Sequence, residues 1–171
     1  MTATIGVAIA IPRPFADELE GWRERFGDPA AHQIQAHVTL LPPTTVADVD
    51  AVSDHLRAVA QRHAAFPVLL QGTGTFRPLS PVVYVRVAVG AENIVTLESD
   101  VRSGPLQRSL RFDYHPHVTV AHDLPEATLV VAQRTLADYE AAFTADAITL
   151  NEKGSDGVWG PLHDYELTAP A

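Results

Sequence analysis

Two tetrapeptides carry the chemistry of this chain: His37-Val38-Thr39-Leu40 and His117-Val118-Thr119-Val120. An imidazole transfers protons in either direction near neutral pH, and a threonine hydroxyl donates a hydrogen bond to a phosphoryl oxygen. In an extended strand residues i and i+2 share a face. Each His therefore projects with its Thr, while the apolar residues between and after them anchor the strand beneath. If both strands face one cleft, two imidazoles flank a phosphodiester as base and acid, and two hydroxyls hold its oxygens. One His-x-Thr is expected by chance about half the time in such a chain, but His-Val-Thr followed by an apolar residue arises in roughly one or two chains per hundred. Two copies carry the signal. The bland alternative is that both His are half-buried strand residues satisfied by a neighbour.

Elements that position the motifs follow from hydrophobic period. The β-branched run over 4–11 predicts a buried strand ended by Pro12. Phe15, Leu19, Trp22 and Phe26 fall at helical spacing behind Pro14, with Gly27 where a C-terminal cap belongs. Residues 34–41 alternate until Pro42-Pro43, which predicts a motif strand stopping there. Val49, Val52, Leu56 and Val59 mark a second helix, and 68–76 a third strand. The same order then repeats: strand 82–89, helix 91–103, motif strand 116–121, helix 125–137 and strand 141–150. Corresponding elements sit roughly 80 residues apart, as His37 and His117 do, which reads as a duplicated unit. A hairpin turning at Ser155-Asp156-Gly157 closes the chain. No low-complexity linker separates the halves, so the expectation is one α+β domain, 1–171, with lobes at about 1–80 and 81–171.

Composition bounds the partners. At 171 residues the chain suits one domain, and 46% hydrophobic with 19% charged residues is a globular composition. Twelve Lys and Arg against 21 Asp and Glu give a net charge of −9. With no basic tract, tight binding to a long nucleic acid is not expected, because phosphate neutralisation supplies most of that affinity. A small anion remains compatible, since a local pocket can be positive on an acidic protein. There is no Cys, which excludes a thiol nucleophile and Cys-ligated zinc. Nothing reaches membrane-spanning length, so no membrane partner and a cytoplasmic location are expected.

The chain resembles the 2H phosphoesterase superfamily, which includes 2′-5′ RNA ligases and cyclic nucleotide phosphodiesterases. The resemblance rests on His37-Val-Thr-Leu, on Tyr114-His-Pro-His117-Val-Thr-Val-Ala121, and on Gly72-Thr-Gly-Thr-Phe76 leading into Val82-Val-Tyr-Val, and it spans nearly the whole chain. It implies a bilobal duplicated fold with two antiparallel-rich sheets lining a central cleft and helices packed outside. It also implies no metal or other cofactor, with hydrolysis or transfer at 2′,3′-cyclic or 2′-5′ phosphodiesters. By resemblance His37 and His117 are the catalytic pair, His117 as base for water and His37 as acid for the leaving oxygen, and Thr39 and Thr119 hold the phosphate. Many relatives carry Arg where this sequence has His122, and strand parity turns His122 away from His117 and Thr119.

Phe76, Tyr84 and His115 are the further candidates for lining the cleft. A nucleobase would stack on the two aromatics, although core packing is their commoner fate. Arg77 and Arg86 are candidate phosphate partners, with solvated surface Arg as the prior for each. His115, His117 and His122 do not converge as metal ligands, because of Pro116 and strand parity. The expected substrate is a small nucleotide or cyclic phosphate, with short RNA ends also in reach. The rival reading is a binding module that captures a nucleotide through Thr39, Thr119 and an aromatic wall without turnover. A third is an RNA 2′-5′ ligase or phosphodiesterase. Retention of both imidazoles favours catalysis over binding, since a binder needs donors and not two proton-transfer groups.

Overall fold

The β-branched run near the N-terminus forms strand β1 (Ala3–Ala10) in a computed structural model that describes residues 1–171. Pro12 follows it, and helix α1 (Phe15–Arg25) begins three residues later. The first motif lies on β2 (His37–Val46). Helix α2 (Val49–Gln61) follows, its N-terminus capped by the Asp48 carboxylate, which accepts from Ala51 N at 2.9 Å. Next come β3 (Phe66–Thr75), β4 (Val82–Val89) and α3 (Ala91–Val101). The second motif opens β5 (His117–His122), which α4 (Glu126–Thr135) succeeds. The chain ends with β6 (Glu140–Ala145), β7 (Ala147–Lys153) and β8 (Trp159–Glu166), the last two joined by the expected turn with Gly157 at φ 82.

The strands form two four-stranded antiparallel sheets, ordered β2-β1-β7-β8 and β5-β4-β3-β6. Each motif strand is the edge of its sheet, and β2 and β5 meet across the space between the sheets. Helix α2 packs on β7 and β8, and α4 on β3, β4 and β5. Helices α1 and α3 cross over: α1 follows a strand of the first sheet yet packs beside β5, and α3 follows a strand of the second yet packs beside β2. One continuous apolar core results. It includes Val38 and Val118, the middle residues of both motifs, each 0% exposed.

Three expectations from the sequence need correction. Strand β2 does not stop at Pro42-Pro43 but runs through them to Val46. The prolines are tolerated because β2 is an edge, and because its pairing with β1 jumps from Ile5↔Thr44 to Val7↔Leu41 and skips both. The single strand expected over 141–150 is two strands in different sheets: β6 pairs with β3, and β7 with β1. The buried residues change parity across Asp146, from Ala141 and Ala145 to Ile148 and Leu150, which one flat strand cannot do.

The third concerns the lobes. They are not the contiguous halves 1–80 and 81–171, since β3 joins the second sheet and the C-terminal hairpin returns to the first. The duplicated order of elements is present in the chain. The sheets, however, exchange a strand against it, because β3 finds its antiparallel partner in the next element, β4, while β1 is paired by β7.

Candidate active site

Both motif strands carry the same irregularity. Opposite Ala8 and Val7 of β1 stand Thr39 and Leu41, leaving Leu40 as an extra residue. Opposite Tyr84 and Val83 of β4 stand Thr119 and Ala121, leaving Val120 extra. Each is a β-bulge placed directly after the motif Thr. The bulge lets two consecutive apolar residues turn inward in each strand: Leu40 with Leu41, and Val120 with Ala121, all 2% exposed or less. His and Thr of each motif stay half-buried on the cleft side.

The bulge also overturns the parity argument for His122. One extra residue shifts everything beyond Thr119 to the other face, and His122 lines the same chamber as Thr119 and His37. The sequence signal was present in the paired apolar residues Val120-Ala121, which break strict alternation.

The two imidazoles are held alike. His37 Nδ1 lies 2.6 Å from the Gln35 carbonyl oxygen and His117 Nδ1 lies 2.8 Å from that of His115. A carbonyl only accepts, so each Nδ1 carries a proton and each neutral ring presents Nε2 as its free base. In the first motif the Thr39 hydroxyl donates to His37 Nε2 at 3.1 Å. Burial pushes His37 below the usual 6.5, the Gln35 carbonyl opposes this, and the Arg23 and His117 charges add to the lowering. His117 is lowered by burial as well, against the pull of the His115 carbonyl and with the His115 ring charge adding.

Tyr114 ties the lobes at this point. Its hydroxyl donates to the Thr39 backbone oxygen at 2.6 Å, and burial first, then the Glu98 charge, raises its pKa far above the ordinary phenol range. An aromatic cluster supports the second imidazole. The Phe76 ring stands edge-on to His117 with centroids 4.9 Å apart, Tyr84 lies 4.6 Å from Phe76 and 5.4 Å from His117, and His115 borders both aromatics. Gly74 makes room for this packing, since a Cβ there would stand 2.6 Å from Tyr84 Cζ.

Two chambers open on either side of Thr39. One, of about 390 Å³, is bordered by Arg23, His37, Thr119, His122 and Trp159 among others. The other, of about 460 Å³, has His117, His115, Phe76, Leu110 and Phe112 in its wall. Each is within the usual size range of small-molecule sites. The sequence candidates thus come together: His37, Thr39, His117, Thr119, Phe76 and His115 all border the paired chambers, and Tyr84 lies behind Phe76 and His117. Arg77 does not join them; it bonds Thr75, Glu126 and Gln133. Arg86 is exposed. His63 pairs with Asp100 at 2.7 Å and His55 with the Val101 carbonyl at 3.0 Å, both away from the cleft.

Arg23 was missed. The helical stripe read from the sequence followed the large residues Phe15, Leu19, Trp22 and Phe26, but the buried residues of α1 are Ala16, Leu19 and Arg23. The signal that could have found it is a cation at i+4 from Leu19 and i+7 from Ala16, on the inward face.

With this geometry in place, comparison with known proteins is decisive on one point. A family description, the 2′-5′ RNA ligase superfamily, matches residues 11–157, a span that holds both motifs and most of the paired chambers. The chain belongs to the 2′-5′ RNA ligase superfamily. Similar proteins include a "putative phosphoesterase" of Bacillus mycoides (strain KBAB4), 23% identical over 167 residues and covering 95% of this chain and 96% of that one. Another of the same description, from Shouchella clausii (strain KSM-K16), is 25% identical over 160 residues, covering 91% and 92%. Among solved structures, E. coli LigT complexed with 3′-AMP superposes with a TM-score of 0.73 at 20% identity, covering 98% of this chain and 99% of LigT. LigT complexed with ATP gives 0.69 at 20% identity with the same coverage. At these identities LigT establishes the fold: the two-sheet, bilobal α+β arrangement of a superfamily member. No group of three or more His, Asp or Glu stands at metal-ligating spacing, and no helix is long and apolar enough to cross a membrane.

Proposed function

We propose that this superfamily member is a phosphoesterase that hydrolyses a small 2′,3′-cyclic or 2′-5′ linked nucleotide phosphodiester with His37 and His117 as its acid–base pair. The observation that carries the reading is the matched pair of ring contacts: each Nδ1 lies on the carbonyl two residues earlier, which leaves Nε2 as the proton-transfer atom of each ring, beside the Thr39 hydroxyl in His37 and without a protein partner in His117, where the two rings border the paired chambers. A pure binding site has no use for two imidazoles prepared in this way.

In the proposed step a water attacks phosphorus while one imidazole takes its proton at Nε2. The phosphorus–ribose oxygen bond breaks on the opposite side, and the protonated second imidazole gives its Nε2 proton to the leaving oxygen. We assign His117 as base and His37 as acid. Each ring ends in the other's starting state and solvent exchange restores both. Thr39 and Thr119 donate their hydroxyls to non-bridging oxygens, and the apolar wall of Phe76, Leu110 and Phe112 suits a nucleobase. Small nucleotides and short RNA ends in the cytoplasm are the partners proposed. The complexes of LigT with 3′-AMP and ATP support a nucleotide ligand for this fold.

A substrate panel tests the reading. Purified protein is incubated with 2′,3′-cyclic mononucleotides and with 2′-5′ dinucleotides in excess chelator, with products separated by chromatography. Turnover of one class, undiminished by chelator, is expected. Saturable nucleotide binding without turnover of any member would replace the enzyme by a binding module, and turnover abolished by chelator would remove the two-imidazole step.

A further inference from the structure

The buried face of α1 ends in a cation. Arg23 is 9% exposed, and its Nε donates to Asp28 Oδ2 at 2.7 Å. Asp28 is itself fixed, 4% exposed, with Oδ1 accepting from Ala30 N at 2.9 Å and Oδ2 also accepting from His122 N at 3.1 Å. One carboxylate therefore locks the Nε edge of the guanidinium and the end of β5 together. Neither Nη nitrogen of Arg23 has a hydrogen-bond partner in the protein, yet no sealed polar side-chain atom in the chain lacks one. Both Nη atoms are therefore reached by solvent, and Arg23 lines the chamber shared with His37, Thr39 and Thr119. A buried cation is costly unless its donors are used, and a guanidinium held by one edge presents the rest of its planar fork in a geometry that suits two oxygens of a phosphate.

We propose that Arg23 is the phosphate-binding cation of this site, its two Nη nitrogens gripping the non-bridging oxygens of the diester while Asp28 holds its Nε edge. The inference rests on the phosphodiester reading above and deepens it. A chain with net charge −9 needs a local cation to hold a phosphodiester anion. His122 lines the same chamber from β5 but offers no planar fork of paired donors. Arg23 fills that role from the other lobe's helix.

The test compares Arg23→Gln, Arg23→Lys and the double variant Arg23→Gln/His122→Arg with the wild type. It reads kcat and KM for the diester and, separately, calorimetric binding of inorganic phosphate. Arg23→Gln is expected to lower kcat/KM about a hundredfold and to weaken phosphate binding at least about tenfold. Arg23→Lys should recover part of both, as charge without the fork. The double variant should regain phosphate binding, because His122→Arg returns a cation to the same chamber, which a merely structural loss would not allow. Removing the cation should also raise the His37 pKa read by NMR, whose lowering includes the Arg23 charge. Phosphate affinity and His37 titration unchanged in Arg23→Gln would overturn the proposal; so would weakened binding in a folded Arg23→Gln that neither other variant repairs. Because phosphate binding needs no turnover, a wild type that hydrolyses no diester would strike the function proposed above and leave this assignment to the calorimetry.

Discussion

Each imidazole of the cleft is held by a carbonyl that accepts its Nδ1 proton and surrounded by protein that disfavours its charge. Two consequences are measurable. The proposed two-imidazole step needs one ring neutral and the other protonated; with both lowered from 6.5, the free protein reaches that mixed state on the acid side of 6.5. The kcat/KM profile is therefore expected to be bell-shaped with its maximum below pH 6.5; a maximum well above 7 would contradict the lowered values. For stability, the unfolded chain binds protons at 6.5 while the folded rings refuse them. The folded state thus keeps its full stability above 6.5 and loses it as pH falls from there toward the folded values. His37→Gln and His117→Gln should each flatten the decline of Tm between neutral pH and pH 5. His37, Thr39, His117 and Thr119 were legible because identity and i, i+2 spacing suffice to place them. Arg23 was not, because large aromatics on a neighbouring stripe masked a smaller buried face, and its partner Asp28 lies in the loop beyond the helix.

The two motif strands act through their bulges. Leu40 and Val120 are the extra residues that anchor each strand with two adjacent apolar side chains and re-aim the residues beyond them. Alternation gave the faces of the strands correctly up to Thr39 and Thr119 and misled after them, for His122 above all. The break between β6 and β7 was hidden for the same reason: a run of β-formers reads as one strand unless the parity change at Asp146 is noticed. Strand β3 contributes through Gly74, over which Tyr84 lies; an added methyl would meet the ring at 2.6 Å. Tyr84 is 8% exposed and packs against both Phe76 and His117, so displacing it disturbs the rings that hold the imidazole. Gly74→Ala should cost about 1–3 kcal/mol by overpacking, seen as a lower denaturation midpoint, and should slow turnover more than Gly72→Ala, whose Cβ finds only the Ala137 carbonyl at 3.4 Å, though at a strained φ of 71. Equal losses of turnover would detach Gly74 from the site.

At the scale of the molecule the cleft exists because the chain crosses between sheets more than once. Helices α1 and α3 lean on the opposite lobe, β3 leaves the first unit for the second sheet, and β7 and β8 return to complete the first. The repeated element order was readable from the offset of roughly 80 residues, but strand exchange between copies was not, since period and composition are the same whichever sheet a strand joins. A fragment of residues 1–80 holds β1, β2 and β3 split between two sheets, and should show no cooperative thermal unfolding by circular dichroism. A sharp transition would mean that the contiguous half is a folding unit after all. Both imidazoles are proposed to serve one reaction at one phosphorus. The measurement that addresses it most directly is kcat/KM for the preferred diester in wild type, His37→Ala, His117→Ala and the double variant. Residues acting as one unit give non-additive losses: each single variant should fall by about 10²–10⁴ and the double by little more. Turnover undiminished in either single variant, or losses that multiply in the double, would separate the two imidazoles into independent roles and overturn the shared step.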